Sequence, residues 1–354
     1  MATRSRPSTA PELRAPAGRV RVAGTLASLP HAQTGSDSAY PPSVITALAG
    51  GVGAARLLAP LCRAVGPARV HAVVNTGDDE VLHGLHISPD LDTVTYTLAG
   101  AANPTTGWGL AGETWRVMEA LERYRGQTWF RLGDRDLATH LYRTQRLAEG
   151  APLSAVAGEI AKAWGIRSHL MPMTDDEVRT RVTLAGGEEV SFQDYFVRRR
   201  HSVAVTGLRF EGAATSRPAP GVLEAVAGAE RLIICPSNPL VSIAPILAVP
   251  GVEEAVRARR QDVVAISPIV AGAALKGPAD RLLAELGHEA SVVGVARLWA
   301  PIAGTLIVDE ADAGLARQVE AEGMDCLVAP TVMDRPGVGE SLARLAVGDT
   351  LSAS

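Results

Sequence analysis

Four aspartates, one glutamate and two histidines lie close together between Val73 and Gly100, in the stretch VVNTGDDEVLHGLHISPDLDTVTYTLAG. Carboxylate oxygens are the hard ligands that Mg²⁺ takes in proteins, usually together with water and substrate phosphates. Aspartates one or two positions apart cannot all point in one direction, so we expect two of the four to face a common centre. We assign metal binding and catalysis to Asp78 and Asp92, whereas Asp90 is at least as well explained as a helix N-cap.

A second candidate site is a glycine loop, LAGGVGAAR, which follows a short apolar run and precedes a helical pattern. Gly50, Gly51 and Gly53 let the backbone approach a ligand, and N–H groups at the start of the next helix face an anion. We expect this loop to bind a phosphate, with Arg56 as an additional charged contact. The alternative is a tight turn that packs the helix against the strand. The order of strand, glycines and helix favours phosphate binding.

Two further groups of polar residues are candidates for binding. Arg131 belongs to the charged stretch RLGDRDLATH, which is either a clamp for an anionic or polar ligand or the charged start of a helix. Ser237, Asn238 and Ser267 each follow an apolar strand pattern, where open α/β sheets bind their ligands. Their hydroxyl and amide groups can hold the ribose, base or phosphate of a nucleotide, although each one taken singly is better explained as part of an ordinary turn.

The elements that must position these residues indicate an α/β fold. Strand patterns recur at SVITALA, ARVHAVVNT, RLIIC, DVVAIS, GTLIV and MDCLV, and SVVGVARLW is a further candidate strand. Strand, glycine turn, helix and strand in this order begin a parallel sheet. We therefore predict a Rossmann-like, mostly parallel sheet with helices on both faces and a mainly helical insertion. Its segments are a disordered extension at 1–42, a first α/β half at 43–111, the insertion at 112–200 and a second α/β half at 201–354.

Composition argues against several classes of protein. The 354-residue chain is 47% hydrophobic and 20% charged, and its net charge of −4 lacks the basic excess of nucleic-acid-binding proteins. Cys62, Cys235 and Cys326 are far apart in sequence, which argues against a disulfide framework or a zinc site and fits a reducing cytoplasm. No apolar run reaches the roughly 20 residues of a transmembrane helix, so we expect no membrane partner.

Taken together, five stretches resemble one family. They are LAGGVGAARLL, the acidic stretch quoted above, LGDRDLATH, PSNPLVSIAPIL and SPIVAGAALKGPADRLL. In this order they resemble the 2-phospho-L-lactate transferases of coenzyme F420 biosynthesis, the CofD/FbiA type. The resemblance runs from about Ser43 to Thr331, and the acidic stretch and LGDRDLATH are its most specific parts.

The resemblance implies a reaction. A phospho-three-carbon-acid group, phosphoenolpyruvyl or 2-phospho-L-lactyl, passes from a guanosine diphosphate conjugate to the deazaflavin FO, GMP leaves, and Mg²⁺ assists. It also implies a homodimer, FO contacts at Asp92 and Arg131, and contacts of the guanylyl portion with the backbone from Gly51 to Ala54 and with Asn238. The sequences of the glycine and acidic stretches resemble the actinobacterial type of the family more closely, which favours an enolpyruvyl donor.

Two other functions fit parts of the sequence. In an NAD-dependent oxidoreductase, Asp78 would bind a ribose 2′-hydroxyl after the glycine loop, but that function has no use for Asp92 or Arg131. A non-catalytic nucleotide-sugar-binding relative of the same fold would share the glycine loop. We would then expect a Gly-Gly-Ser run after the paired aspartates, where this chain has DDEVLHG.

Overall fold

A computed structural model describes residues 44–349, and the extension predicted at 1–42 lies outside this range. The strands, in chain order, are β1 (Ile45–Ala49), β2 (Val70–Val74), β3 (Glu80–Leu82), β4 (Leu85–Ile87), β5 (His169–Pro172), β6 (Arg179–Leu184), β7 (Glu189–Ser191), β8 (Val205–Glu211), β9 (Arg231–Ile234), β10 (Val263–Ile266), β11 (Ile269–Val270), β12 (Ala273–Ala274), β13 (Thr305–Val308) and β14 (Asp325–Val328).

The α-helices, in the same order, are α1 (Gly51–Val65), α2 (Pro89–Leu98), α3 (Arg116–Arg123), α4 (Asp136–Ala148), α5 (Leu153–Ala163), α6 (Val222–Gly228), α7 (Ala244–Leu247), α8 (Val252–Ala258), α9 (Ala279–Glu285), α10 (Val292–Trp299), α11 (Ala316–Ala321) and α12 (Val338–Val347). Two π-helical turns, Asp194–Arg198 and Pro239–Ile243, complete the helical elements that border the site.

Seven strands form one parallel sheet in the order β14-β13-β10-β9-β1-β2-β5. The chain builds outwards from β1 through β2 to β5, then returns to the other side of β1 and builds outwards again from β9 to β14. The order of the sheet therefore reverses between β1 and β9. Open α/β sheets bind ligands at the carboxyl ends of the strands at such a point, because loops from neighbouring strands diverge there.

The residues of β1 explain why both faces of the sheet are covered. Ile45, Ala47 and Ala49 pack into one apolar cluster with α1, α2, α5 and α12. Leu48 packs into a second cluster on the opposite face, with α6, α8, α10 and α11. Alternate side chains of a strand point to opposite faces, so a strand that is buried throughout, as β1 is, needs a layer of helices on each side. The predicted Rossmann-like fold class is confirmed.

The segment predicted as a mainly helical insertion is helical only in its first part. Helices α3, α4 and α5 fill it as far as Ala163, after which β5 pairs with β2 and so belongs to the main sheet. Strands β6, β7 and β8 then form a separate antiparallel sheet in the order β7-β6-β8. The four residues of β5 are too few for a period-two pattern to stand out from the helices beside them.

The strand proposed at SVVGVARLW is wrong, because these residues form helix α10. The Ser291 side chain accepts hydrogen bonds from the N–H groups of Val293 and Gly294, an N-cap that fixes the start of the helix. Short apolar runs do not by themselves distinguish a buried helix from a buried strand.

Between residues 44 and 349, no single helix is both long enough and apolar enough to cross a membrane. One pair, Pro239–Leu247 with Val252–Ala258, meets that length and composition only when taken together across a 94° bend.

Candidate active site at the reversal point of the sheet

A cavity of about 770 Å³ lies at the carboxyl ends of the strands, where the strand order reverses. Residues from both halves of the core, from the acidic stretch and from the antiparallel sheet region line it. The contributing segments are 50–56, 75–96, 106–109, 130–140, 192–197, 236–242, 267–279 and 331–334. The acidic stretch, the glycine loop and RLGDRDLATH therefore meet at one cavity.

The glycine loop joins β1 to α1 and is held tightly by the loop that follows β9. Gly51 begins α1 in the left-handed region, with φ of 71°. A Cβ on Gly53 would lie 2.1 Å from the carbonyl oxygen of Pro236, so only glycine allows these two backbones to approach. Gly50, Gly51 and Gly53 line the cavity, and so does Arg56. Ala54 is fully buried and its side chain does not line the cavity, so the contact expected of its backbone stays a prediction.

Asp90 connects the acidic stretch to the glycine loop. It is the second residue of α2, and its Oδ1 accepts a hydrogen bond of 2.7 Å from the backbone N–H of Gly51. Its Oδ2 accepts a second hydrogen bond, 2.9 Å long, from Nδ2 of Asn75. The interpretation of Asp90 as an N-cap is wrong, because Ser88 occupies the N-cap position and Asp90 bonds outside its own helix.

Asp78 lies beside the same asparagine. Its Oδ1 is 3.3 Å from Nδ2 of Asn75, and its Oδ2 accepts a hydrogen bond of 3.2 Å from Nε2 of Gln193. All three side chains are buried and line the cavity. Asn75 therefore links Asp78 to Asp90, and Gln193 fixes Asp78 from the side of the antiparallel sheet.

Burial raises the pKa values of both acids. For Asp78, burial is the largest cause, and the negative charges of Asp90 and Asp79 raise its pKa further. Burial also raises the pKa of Asp90, to about 6, against the hydrogen bonds from Asn75 and Gly51 that lower it. A cation beside two such carboxylates stabilises their ionised forms, so this pair has the chemistry of a cation site.

Asp92 has a different environment from Asp78. Both of its carboxylate oxygens accept hydrogen bonds from Arg143 of α4, with Oδ2 3.1 Å from Nη1 and a second, close contact from Nη2 to Oδ1. Arg143 is almost fully buried and lies behind Asp92, outside the cavity lining. Burial by itself lowers the pKa of Arg143, but the charge and hydrogen bonds of Asp92 raise it overall. Asp92 is thus oriented towards the cavity by a buried ion pair.

The same network continues along α4. His140 Nδ1 lies 3.3 Å from Nη1 of Arg143, and His140 Nε2 lies 3.3 Å from Oδ2 of Asp136. The Tyr96 hydroxyl donates a hydrogen bond to Asp136. Asp92, Asp136 and His140 each offer a ligand atom within 4.8 Å of the others, so they form a second group with the composition of a metal site.

Arg131 also lines the cavity. Its guanidinium carbon lies 4.4 Å from the ring centroid of Trp115, a cation–π contact that leaves its N–H groups available. Aromatic rings line the cavity as well, and those of Phe192 and Phe196 stack with centroids 5.5 Å apart.

Ser237, Asn238 and Ser267 line the cavity, but their side chains also stabilise local turns. The Ser237 hydroxyl donates to the carbonyl of Gly50 at 2.7 Å, and Oδ1 of Asn238 accepts from the N–H of Leu240. The Ser267 hydroxyl donates to the carbonyl of Ile269. Ser237 thereby ties the loop after β9 to the glycine loop.

Four residues that contribute to the site were not singled out from the sequence for these roles: Asn75, Gln193, His140 and Arg143. Asn75 directly follows β2 and could have been noticed by that position. Gln193 and Arg143 gave no signal, because their partners are 115 and 51 residues away along the chain.

Comparison with known proteins adds independent information. The sequence profile of a family described as 2-phospho-L-lactate transferase CofD matches residues 45–338. A protein of Kitasatospora aureofaciens named phosphoenolpyruvate transferase is 45% identical over 309 residues, which cover 86% of this chain and 96% of that relative. A protein of Streptomyces griseus with the same name is 45% identical over 310 residues, covering 86% of this chain and 97% of that relative.

A solved structure shares the fold. The crystal structure of a UPF0052-family protein from Bacillus halodurans superimposes with a TM-score of 0.56 and covers 87% of this chain and 99% of its own. Its sequence identity of 15% limits the likeness to the fold alone.

Proposed function

The chain belongs to the 2-phospho-L-lactate transferase CofD family, and on that premise we propose that it transfers a phosphoenolpyruvyl group from a guanosine diphosphate conjugate to the deazaflavin FO, with release of GMP. The names of its relatives favour enolpyruvyl over 2-phospho-L-lactyl as the donor acid. The observation that carries the proposal is the hydrogen bond from the backbone N–H of Gly51 to the carboxylate of Asp90, which joins the glycine loop to the buried acids. A nucleoside diphosphate with its metal ion needs these two features side by side.

In the proposed reaction, the side-chain hydroxyl oxygen of FO attacks the phosphorus that carries the three-carbon acid. The bond from that phosphorus to the oxygen shared with the guanosine phosphate breaks, GMP leaves with that oxygen, and the hydroxyl proton passes to solvent. Such a transfer depends on alignment and charge neutralisation more than on covalent help from the protein.

We propose that Asp78 and Asp90 hold Mg²⁺, because both are buried carboxylates that line the cavity, and burial raises the pKa of each. When bound, Mg²⁺ would neutralise charge on the donor phosphates. Asp92 was assigned as a metal ligand from the sequence. Since both of its oxygens bond to Arg143, we propose the FO hydroxyl as its partner instead.

The remaining side chains divide between the two substrates. The N–H of Gly51 is taken by Asp90, so the N–H groups that follow it in the first turn of α1 face the donor phosphates, since the first N–H groups of a helix lack partners within it. Arg131 and Asp92 contact FO, and the stacked rings of Phe192 and Phe196 offer a flat apolar wall for its ring system. Gln193 keeps Asp78 turned towards the donor.

Incubation of the purified protein with FO, Mg²⁺ and an equimolar mixture of the enolpyruvyl and lactyl donors tests the proposal. We expect GMP release and a product whose mass carries the enolpyruvyl group, measured by liquid chromatography and mass spectrometry. Absence of GMP with both donors would overturn the transferase. Saturable micromolar binding of NAD(H) in a fluorescence titration, together with that absence, would favour the oxidoreductase instead. Donor binding without turnover would favour the non-catalytic relative.

The family resemblance also implies a homodimer that acts in the cytoplasm, and we include both in the proposal. Sedimentation equilibrium of the purified chain measures the mass of the assembly directly. A mass equal to one chain at micromolar concentration would contradict the dimer.

A further inference from the structure

Three segments meet at the outer end of the glycine loop. They are the loop 103–109, the segment 272–278 and the first turns of α1. Nζ of Lys276 donates a hydrogen bond of 3.2 Å to the carbonyl oxygen of Thr106. Gly107 allows this approach, because a Cβ there would lie 2.7 Å from Cγ1 of Val52 and 3.3 Å from Nζ of Lys276. The backbone of Gly107 has φ of 79°, which also favours glycine.

Lys276 and Arg56 bring two positive charges to this corner of the cavity. Arg56 forms an ion pair with Asp334, whose side chain is 67% exposed. Within residues 44–349, Lys276 has no carboxylate within 4.0 Å, so the two cations share one exposed counter-charge. Burial lowers the pKa of Lys276, the charge of Arg56 lowers it further, and Asp334 raises it.

The two cations outnumber the one carboxylate at this corner, so the corner is positively charged, whereas several carboxylates line the rest of the cavity. Two cations beside each other repel, and the N-terminal end of α1 adds to the positive potential. An exposed ion pair such as Arg56–Asp334 contributes little to stability, so an incoming anion displaces it at small cost. The corner is therefore complementary to an oxyanion with more than one oxygen.

We propose that Lys276 is a donor-binding residue which, together with Arg56, receives an oxyanion of the donor at the outer end of the glycine loop. In the structure, Lys276 donates a hydrogen bond to the Thr106 carbonyl and Arg56 donates one to the Asp334 carboxylate. When the donor binds, its oxygens replace these two acceptors. The oxyanion is either the diphosphate or the carboxylate of the three-carbon acid. This inference rests on the proposed transferase function, to which it adds a specificity residue.

Matched variants separate charge from loop packing. Lys276→Arg keeps the positive charge, and Lys276→Gln keeps an N–H donor for the Thr106 carbonyl but removes the charge. The chain contains two lysines, Lys162 and Lys276. Lys162 lies exposed on α5, away from the cavity lining, so Lys162→Gln is the control.

Calorimetric titration with GDP in Mg²⁺ and steady-state kinetics with the enolpyruvyl donor test the inference. If Lys276 binds the diphosphate, Lys276→Gln weakens GDP binding about tenfold, the effect of one charge-assisted hydrogen bond. If it binds the acid's carboxylate, the same variant leaves GDP binding intact and raises KM for the donor about tenfold. Lys276→Arg retains most of the affinity in either case, and Lys162→Gln matches the wild type.

Chemical labelling gives a readout that does not depend on turnover. With an amine-reactive reagent, GDP or the donor protects Lys276 but not Lys162, as measured by peptide mass spectrometry. Unchanged GDP affinity and unchanged donor KM in Lys276→Gln would overturn the inference while leaving the transferase intact. A wild type that binds GDP but releases no GMP from the donor would overturn the transferase, and the GDP titration would still decide the role of Lys276.

Discussion

The carboxylate of Asp90 accepts a hydrogen bond from the backbone N–H of Gly51, 39 residues earlier in the chain. This single contact joins the start of α2 to the start of α1 and so brings the acidic stretch against the glycine loop. Asn75 extends the junction to Asp78. Asp90 and Asp78 therefore fix the geometry of the proposed donor site and also supply its carboxylate groups.

Replacement of Asp90 by asparagine is expected to reduce kcat by at least about a hundredfold, since it removes a proposed Mg²⁺ ligand that also fixes the glycine loop. GMP release measures the loss, and circular dichroism checks the fold. Glu80→Gln, in the same stretch but outside the cavity lining, serves as the control and should retain wild-type turnover. Turnover of Asp90→Asn within tenfold of the wild type would remove Asp90 from the proposed machinery.

The stabilisation by Mg²⁺ is expected to depend on pH. Burial raises the pKa of Asp90 from 3.8 to about 6, so the folded protein holds this proton more tightly than the unfolded chain. The contribution of Asp90 to stability is therefore full below pH 3.8 and is lost as the pH rises through about 6. Mg²⁺ binds the ionised form, so it should raise Tm more at about pH 7.5 than at about pH 5. Equal shifts at both pH values, or a persistent shift in Asp90→Asn, would contradict the assignment.

Removal of the Arg143 guanidinium is expected to destabilise the fold strongly. Arg143→Met leaves the buried carboxylate of Asp92 without its partner, which costs about 3–5 kcal/mol. Urea unfolding measures the change. Arg146→Met is the matched control on the same helix, because Arg146 pairs with Glu149 and Glu159 at the surface, where such pairs contribute about 0–1 kcal/mol. Similar losses of unfolding free energy in the two variants would mean that the buried Asp92–Arg143 pair contributes no more to stability than the surface ion pairs of Arg146.

A methyl group at position 53 is expected to disrupt the donor site. In Gly53→Ala the new Cβ would lie 2.1 Å from the Pro236 carbonyl oxygen, so the glycine loop and the loop after β9 must separate. We expect weaker GDP binding and a lower Tm. Gly158→Ala is the control, since the exposed Gly158 of α5 has no atom within 4 Å of such a Cβ. That substitution should stabilise the helix by about 0.5–1 kcal/mol. Normal GDP affinity in Gly53→Ala would argue against nucleotide binding at this loop.

Loss of the Arg131 side chain is expected to affect the acceptor only. Arg131→Ala should raise KM for FO about tenfold, the effect of one hydrogen bond from a charged group, and leave GDP affinity unchanged. Arg123→Ala, at the exposed end of α3, should change neither. If Arg131→Ala weakened GDP binding about tenfold as well, Arg131 would have to be assigned to the donor instead of to FO.

The sequence by itself determined the class of fold and the segments of the site. Six apolar strand patterns, a glycine loop between strand and helix, and polar residues at strand ends are local features. They follow from the periodicity of side chains and from the freedom of glycine. These features were enough to predict a parallel sheet and a ligand site at its carboxyl edge, because parallel strands bring all such ends to one side.

Only the tertiary structure decided which partners the acids have. Asp78, Asp90 and Asp92 look alike in sequence, yet Asn75 joins the first two and Arg143 takes both oxygens of the third. Arg143 comes from α4, 51 residues further along the chain, and Gln193 reaches Asp78 across 115 residues. Sequence periodicity carries no information on such distant pairs. Their contacts depend on how α4 and the antiparallel sheet pack against the ends of the strands, and burial in that packing raises the pKa values of Asp78 and Asp90.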